Sequence, residues 1–193
     1  MADILQKILA TKRREVADAM ARRSLAELKA RCRDAGPVRD FVGALRSKHR
    51  SAKPAVIAEI KRASPSAGEF RRALPGAFDP ATYAAGYERA GAACLSVLTD
   101  REYFMGSPED LVSARLACNL PVLRKDFIVD AYQIYEARAM GADAILLIMG
   151  TAPLAQLLDM EAVAGQLGMA VLAESHDAAE LEDALALQTP LIG

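Results

Sequence analysis

From residue 55 onward the chain repeats one pattern, a short apolar run followed by a helical stretch. The runs are AVIAEI (55–60), ACLSVLT (93–99), PVLRKDF (121–127), DAILLIM (143–149) and MAVLAES (169–175), and a sixth begins at Pro190. Between them, helices are predicted over Pro80–Ala90, Pro108–Ala117, Ala131–Met140, Ala155–Gln166 and Ala178–Ala186. Several of these open on Asp, Ser or Pro, residues suited to helix starts. Glycine corners at Gly91-Ala92, Gly141-Ala142 and Gly168-Met169 end a helix and turn the chain into the next strand. Strict β-α alternation with apolar strands predicts a parallel sheet covered by helices. Two architectures satisfy it: a doubly wound open sheet and a (β/α)8 barrel. No G-x-G-x-x-G or G-x-x-x-x-G-K-[ST] follows any strand, so the nucleotide-binding open sheets lose support.

The first 53 residues read as a helical extension, and 54–193 as the barrel part of the same structural unit. Ile4, Leu5, Ile8, Leu9, Val16 and Met20 are spaced for one apolar face. Ser24 followed by Glu27 is a capping box that starts a second helix, ended by Gly36-Pro37. Asp40 to Lys48 forms a third. This extension carries 14 Lys+Arg against 6 Asp+Glu, a balance of +8 within a chain whose net charge is −1. The basic residues interleave with acids on helices and have no aromatic platform, so they read as a solvated face and not as a nucleic-acid site. No apolar run reaches a membrane span, and no secretory h-region opens the chain. Cys32, Cys94 and Cys118 form no paired or metal spacing, and with His49 and His176 as the two histidines no zinc site is expected. Free thiols and a cytoplasmic setting follow.

Polar residues that break the apolar strands cluster at their C-terminal ends. The first strand ends Glu59-Ile60-Lys61, the third Lys125-Asp126-Phe127, the fifth Glu174-Ser175. In a (β/α)8 barrel these ends converge on one mouth, where active sites are built. Alternation puts Glu59 and Lys61 on one face and turns Asp126 away from Lys125, which makes Asp126 structural. Two carboxylates and two ammonium groups in one pocket suit proton transfer. His176 reads as a loop or cap residue.

These residues carry a resemblance. AEIKRASPS (58–66) is similar to the first-strand x-E-x-K-x-x-S-P-S motif of indole-3-glycerol-phosphate synthases, lyases of tryptophan and aromatic amino-acid biosynthesis. GAACLSVLTDREYFMGSPEDL (91–111), PVLRKDFIVDAYQIYEARAMGADAILLI (121–148), GMAVLAESHDAAEL (168–181) and the leading ILQKILATKRREV agree with it in order and spacing. The resemblance implies a (β/α)8 TIM barrel with extra N-terminal helices. It implies conversion of 1-(2-carboxyphenylamino)-1-deoxyribulose 5-phosphate to indole-3-glycerol phosphate, CO2 and water, with no cofactor and no metal. By the same resemblance Lys125 is the general acid of ring closure, and Lys61 holds the substrate and assists proton transfer. Glu174 and Glu59 handle protons and stabilise the iminium intermediate. Ser64 contacts substrate, and Phe104, Phe127 and Leu146 form the apolar wall for the anthranilate ring. The expected partners are a phosphorylated small molecule and other tryptophan-pathway enzymes, with no nucleic acid and no membrane.

The sequence departs from the family in two places. Ala67 stands where the family commonly has lysine, in a loop that is a few residues longer before Phe78-Asp79-Pro80. The family also continues past L-I-G into further strands whose loops bind the substrate phosphate. The barrel is therefore expected to be incomplete here, about five βα units and the start of a sixth strand. A C-terminally truncated product is expected to be inactive alone, with exposed strand edges. Two other readings stay open at this point, a non-catalytic half-barrel used in assembly and a Schiff-base sugar-phosphate aldolase.

Overall fold

The structure is a computed structural model that describes residues 2–70 and 78–193. The expected lengthening of the loop after the first strand falls on 71–77, outside the described residues. The chain groups into two compact units, residues 38–126 and residues 1–37 with 127–193. Each is described by itself.

The unit of residues 38–126 opens with α3 (Phe41–Arg50), which follows α1 (Ala2–Arg22) and α2 (Leu25–Asp34) of the other unit. The Asp40 side chain caps α3 by accepting the Gly43 N–H. Strand β1 (Ile57–Ile60) pairs in parallel with β4 (Cys94–Leu98), and β4 with β5 (Val122–Lys125). Helices α4 (Pro80–Arg89) and α5 (Pro108–Ala117) connect them. Both begin with proline after a capping side chain, Asp79 and Ser107 respectively. Strand β4 is buried along its whole length, as suits a predominantly apolar parallel strand, with Ser96 buried among its apolar neighbours. In β1 burial alternates, with Ala58 and Ile60 inside and Ile57 and Glu59 half-exposed.

A small antiparallel ladder, β2 (Ala63–Ser64) with β3 (Gly68–Glu69), adds to the elements predicted from the sequence. Two-residue strands carry no periodicity to read. Gly68, where the chain leaves the turn and opens β3, has φ +68°, in the left-handed region open to glycine.

In the second unit, α1 and α2 pack with α6 (Ala131–Ala139) around Leu9, Val16, Leu28, Val129 and Tyr132. The Tyr132 hydroxyl donates toward the carbonyls of Ala19, 3.1 Å, and Arg23, 3.0 Å, tying the end of α1 to α6. Ile8, Leu9 and Val16 are buried and Leu5 packs against them. Ile4 and Met20 are exposed, contrary to the apolar stripe expected of them. Ile4 lies off the stripe's centre, and Met20 is in the last turn. The capping box at Ser24 and Glu27 is present. Strand β6 (Ala144–Ile148) pairs in parallel with β7 (Ala170–Glu174), joined by α7 (Leu154–Gln166), and α8 (Ala178–Ala184) follows. The sixth apolar run makes a single parallel bridge, Ile192 to Ala173. Gly91, Gly141 and Gly168 all have positive φ, so each predicted glycine corner is a true helix end.

The three cysteines are free and buried. Burial pushes the thiols of Cys32 and Cys118 up. No helix among the described residues is long and apolar enough to cross a membrane.

Candidate active site

Strand register decides which side chains share a face. Glu59 lies opposite Ser96, and Ser96 opposite Leu123. Lys125, two residues past Leu123, therefore projects from the same side as Glu59. Lys61 continues the alternation beyond β1, and its Nζ lies 2.5 Å from Glu59 Oε1 with both side chains about one-third exposed. The Lys61 ammonium also sits over the Phe70 ring, 5.5 Å from its centroid. Within residues 38–126, then, Glu59, Lys61 and Lys125 share one face at the C-terminal ends of β1 and β5. Beside them the Tyr87 hydroxyl lies 3.3 Å from the Glu59 carbonyl oxygen. Burial, with Tyr83 and Glu59 nearby, pushes that hydroxyl up.

The opposite face holds a buried polar knot. Thr99 Oγ1 donates to Asp126 Oδ2 at 2.6 Å, and Arg124 donates to the same oxygen at 3.1 Å and to Thr99 Oγ1 at 3.2 Å. Asp126 is thus structural, as its alternation from Lys125 predicted. Arg124 and Thr99 were not singled out from sequence; the signal was an arginine inside an otherwise apolar strand, two residues from an aspartate. Removing one partner of a buried ion pair costs about 3–5 kcal/mol. Asp126→Ala is expected to destabilise the fold on that order, read as a lower denaturation midpoint in urea. An unchanged midpoint would show that the knot is dispensable.

Ser64 and Phe104 lie close in the same unit, because the Ala63 N–H donates to the Phe104 carbonyl at 3.2 Å. The Ser64 hydroxyl accepts the Ala67 N–H at 3.2 Å within the β2–β3 turn. Phe104 sits in a loop built by the fully buried Asp100, whose Oδ1 accepts the N–H groups of Tyr103 and Phe104 at 2.7 and 3.0 Å. Gly106 closes this loop so tightly that a Cβ there would lie 2.3 Å from the Leu98 carbonyl oxygen.

The remaining sequence-predicted residues belong to the other unit. Glu174 ends β7, and its register with Ile148 puts it on the face of Leu146 and Leu172. Its side chain is 29% exposed. Leu146 is buried in mid-strand, and half-buried Phe127 packs against the Leu9–Val16–Leu28 cluster. His176, beyond β7, stands between two carboxylates, Glu174 and Glu180. Sequence reasoning did not connect these three residues.

The family profile for indole-3-glycerol phosphate synthase matches residues 5–193. The chain belongs to the indole-3-glycerol phosphate synthase family. It is 60% identical over all of its 193 residues to the indole-3-glycerol phosphate synthase of Azoarcus sp. strain BH72, covering 72% of that protein. The synthases of Aromatoleum aromaticum, at 60% with 72% covered, and Polaromonas sp. strain JS666, at 57% with 72% covered, are similarly related over the whole chain. Indole-3-glycerol phosphate synthases are (β/α)8 barrels. The five parallel strands in βα order, with helices ahead of them, are an incomplete set of that architecture.

Proposed function

We propose that Glu59, Lys61, Lys125 and Glu174 carry the family's decarboxylating ring closure in this chain. The substrate is 1-(2-carboxyphenylamino)-1-deoxyribulose 5-phosphate and the product indole-3-glycerol phosphate. The observation that supports this most is the common face of Glu59, Lys61 and Lys125 at the strand ends.

The chemistry suits those groups. Lys125 donates a proton to the substrate ketone while the ring carbon bearing the carboxylate attacks the ketone carbon. A carbon–carbon bond forms, and the carbonyl becomes a hydroxyl. Positive charge develops on the ring and nitrogen, and the carboxylates of Glu59 and Glu174 stabilise it. Loss of CO2 returns the electron pair to the ring. The hydroxyl then leaves as water with a proton from an acid, and a carboxylate removes the hydrogen whose loss completes the indole. Lys61, held by Glu59, anchors the substrate and assists these transfers. Ser64 contacts substrate, and Phe104, Phe127 and Leu146 bound the aromatic ring. The reaction is placed in the cytoplasm, consistent with three free cysteines.

The relatives are longer than the stretch they share with this chain, which spans 72% of their length. The polypeptide 1–193 by itself is expected to be inactive, because an anchor for the substrate phosphate is needed to hold the ring over Lys125. Product formation by purified 1–193 at the rate of a family-length protein would contradict this. The family-length protein means residues 1–193 joined to the segments that the Azoarcus relative carries outside the matched stretch. In it, borohydride added during turnover is expected to label neither Lys61 nor Lys125. A covalent adduct on either lysine would replace acid–base chemistry with a Schiff-base mechanism.

A further inference from the structure

We propose that His176 is a positioning residue for Glu174, an inference that rests on the proton-handling role given to Glu174 above. The imidazole lies in the turn between β7 and α8, and it is held from both sides. Its Nε2 is 3.4 Å from Glu174 Oε1, and its Nδ1 is 3.2 Å from Glu180 Oε2. The Nδ1 contact with Glu180 is a hydrogen bond, and Nε2 stands at ion-pair distance from Glu174, a charge pair when the ring is protonated. The same Glu180 oxygen accepts the His176 backbone N–H at 2.7 Å, so one carboxylate fixes both main chain and ring.

Glu180 is fixed in turn. Its backbone N–H donates to the Oδ1 of Asp177, the N-cap of α8, at 2.9 Å. Its side chain lies against the turn that leaves β6, at Gly150. A Cβ on Gly150 would lie 2.8 Å from Glu180 Oε1, and the glycine's φ of +75° also disfavours any side chain there. The order of support runs from the Gly150 turn to Glu180, to His176, to Glu174. The imidazole is 63% exposed, while the carboxylates on either side are 29% and 25% exposed. An imidazole so open to water has many rotamers available, and the two carboxylates select one. An imidazole held beside one oxygen of Glu174 then restricts the plane of that carboxylate, the kind of outer-shell orientation on which acid–base groups depend.

The test uses the family-length protein and four variants. His176→Asn keeps an amide at the Nδ1 position toward Glu180 but is too short to reach Glu174. His176→Gln carries an amide N–H to the Nε2 position. Glu174→Gln and the double variant His176→Asn/Glu174→Gln complete a cycle. His176→Asn is expected to lower kcat on the order of tenfold, with KM within about twofold. His176→Gln regains most of the loss. In the Glu174→Gln background His176→Asn adds less than about twofold. An unchanged kcat in His176→Asn beside an impaired Glu174→Gln overturns the positioning role alone. So does an equal loss in both backgrounds. Wild-type turnover in Glu174→Gln overturns the underlying reading of Glu174, and the proposal with it. Far-UV circular dichroism verifies that each variant is folded, and Asn and Gln are polar replacements suited to this exposed turn.

Discussion

Lys125→Ala in the family-length protein is expected to lower kcat for indole formation by about 10²–10⁴ while leaving the fold intact, the usual cost of losing a positioned acid. The side chain ends β5 on the face of Glu59, opposite the buried Arg124–Asp126 pair, so its removal leaves the structural knot untouched. KM is expected to change little, because the proton is given in the transition state and not to the bound ketone at rest. The measurement is steady-state turnover with a circular dichroism spectrum of the same sample. Near-wild-type turnover would remove Lys125 from the mechanism.

A second large effect is expected from Glu174→Gln. The amide nearly preserves the shape of the side chain at the end of β7 and its contact with His176, but it neither accepts nor releases a proton near neutral pH. A loss within the same range of about 10²–10⁴ in kcat is expected, together with an altered pH–rate profile, because a titrating carboxyl has been taken out of the site. A profile superimposable on wild type would deny Glu174 a proton-transfer role and leave it a packing residue at the strand end.

How far the sequence could be read depended on the range of each signal. Local signals read well. The capping box at Ser24 and Glu27, the proline starts of α4 and α5, and the glycine corners at 91, 141 and 168 depend on a few adjacent residues. The period of two was equally informative, for it separated Lys125 from Asp126 before any strand had a neighbour. What needed the neighbour stayed hidden. Thr99 and Arg124 meet Asp126 only once β4 and β5 pair in register. The ring of Phe70 reaches Lys61 through a β2–β3 turn too short to show periodicity. Glu180 returns to His176 because α8 starts where it does, one turn beyond the strand. The motif similarity named the reaction class, while these contacts depend on backbone paths that no motif spells out.

We propose that this chain's strand-end lysines and carboxylates perform a decarboxylating ring closure. The most direct test is to give the family-length protein 1-(2-carboxyphenylamino)-1-deoxyribulose 5-phosphate and measure CO2 and indole-3-glycerol phosphate in the same reaction. Both products are expected in equal amounts, at a rate that falls by about 10²–10⁴ in Lys125→Ala. CO2 without indole, indole-3-glycerol phosphate at an undiminished rate in that variant, or no turnover by the wild type would contradict that proposal.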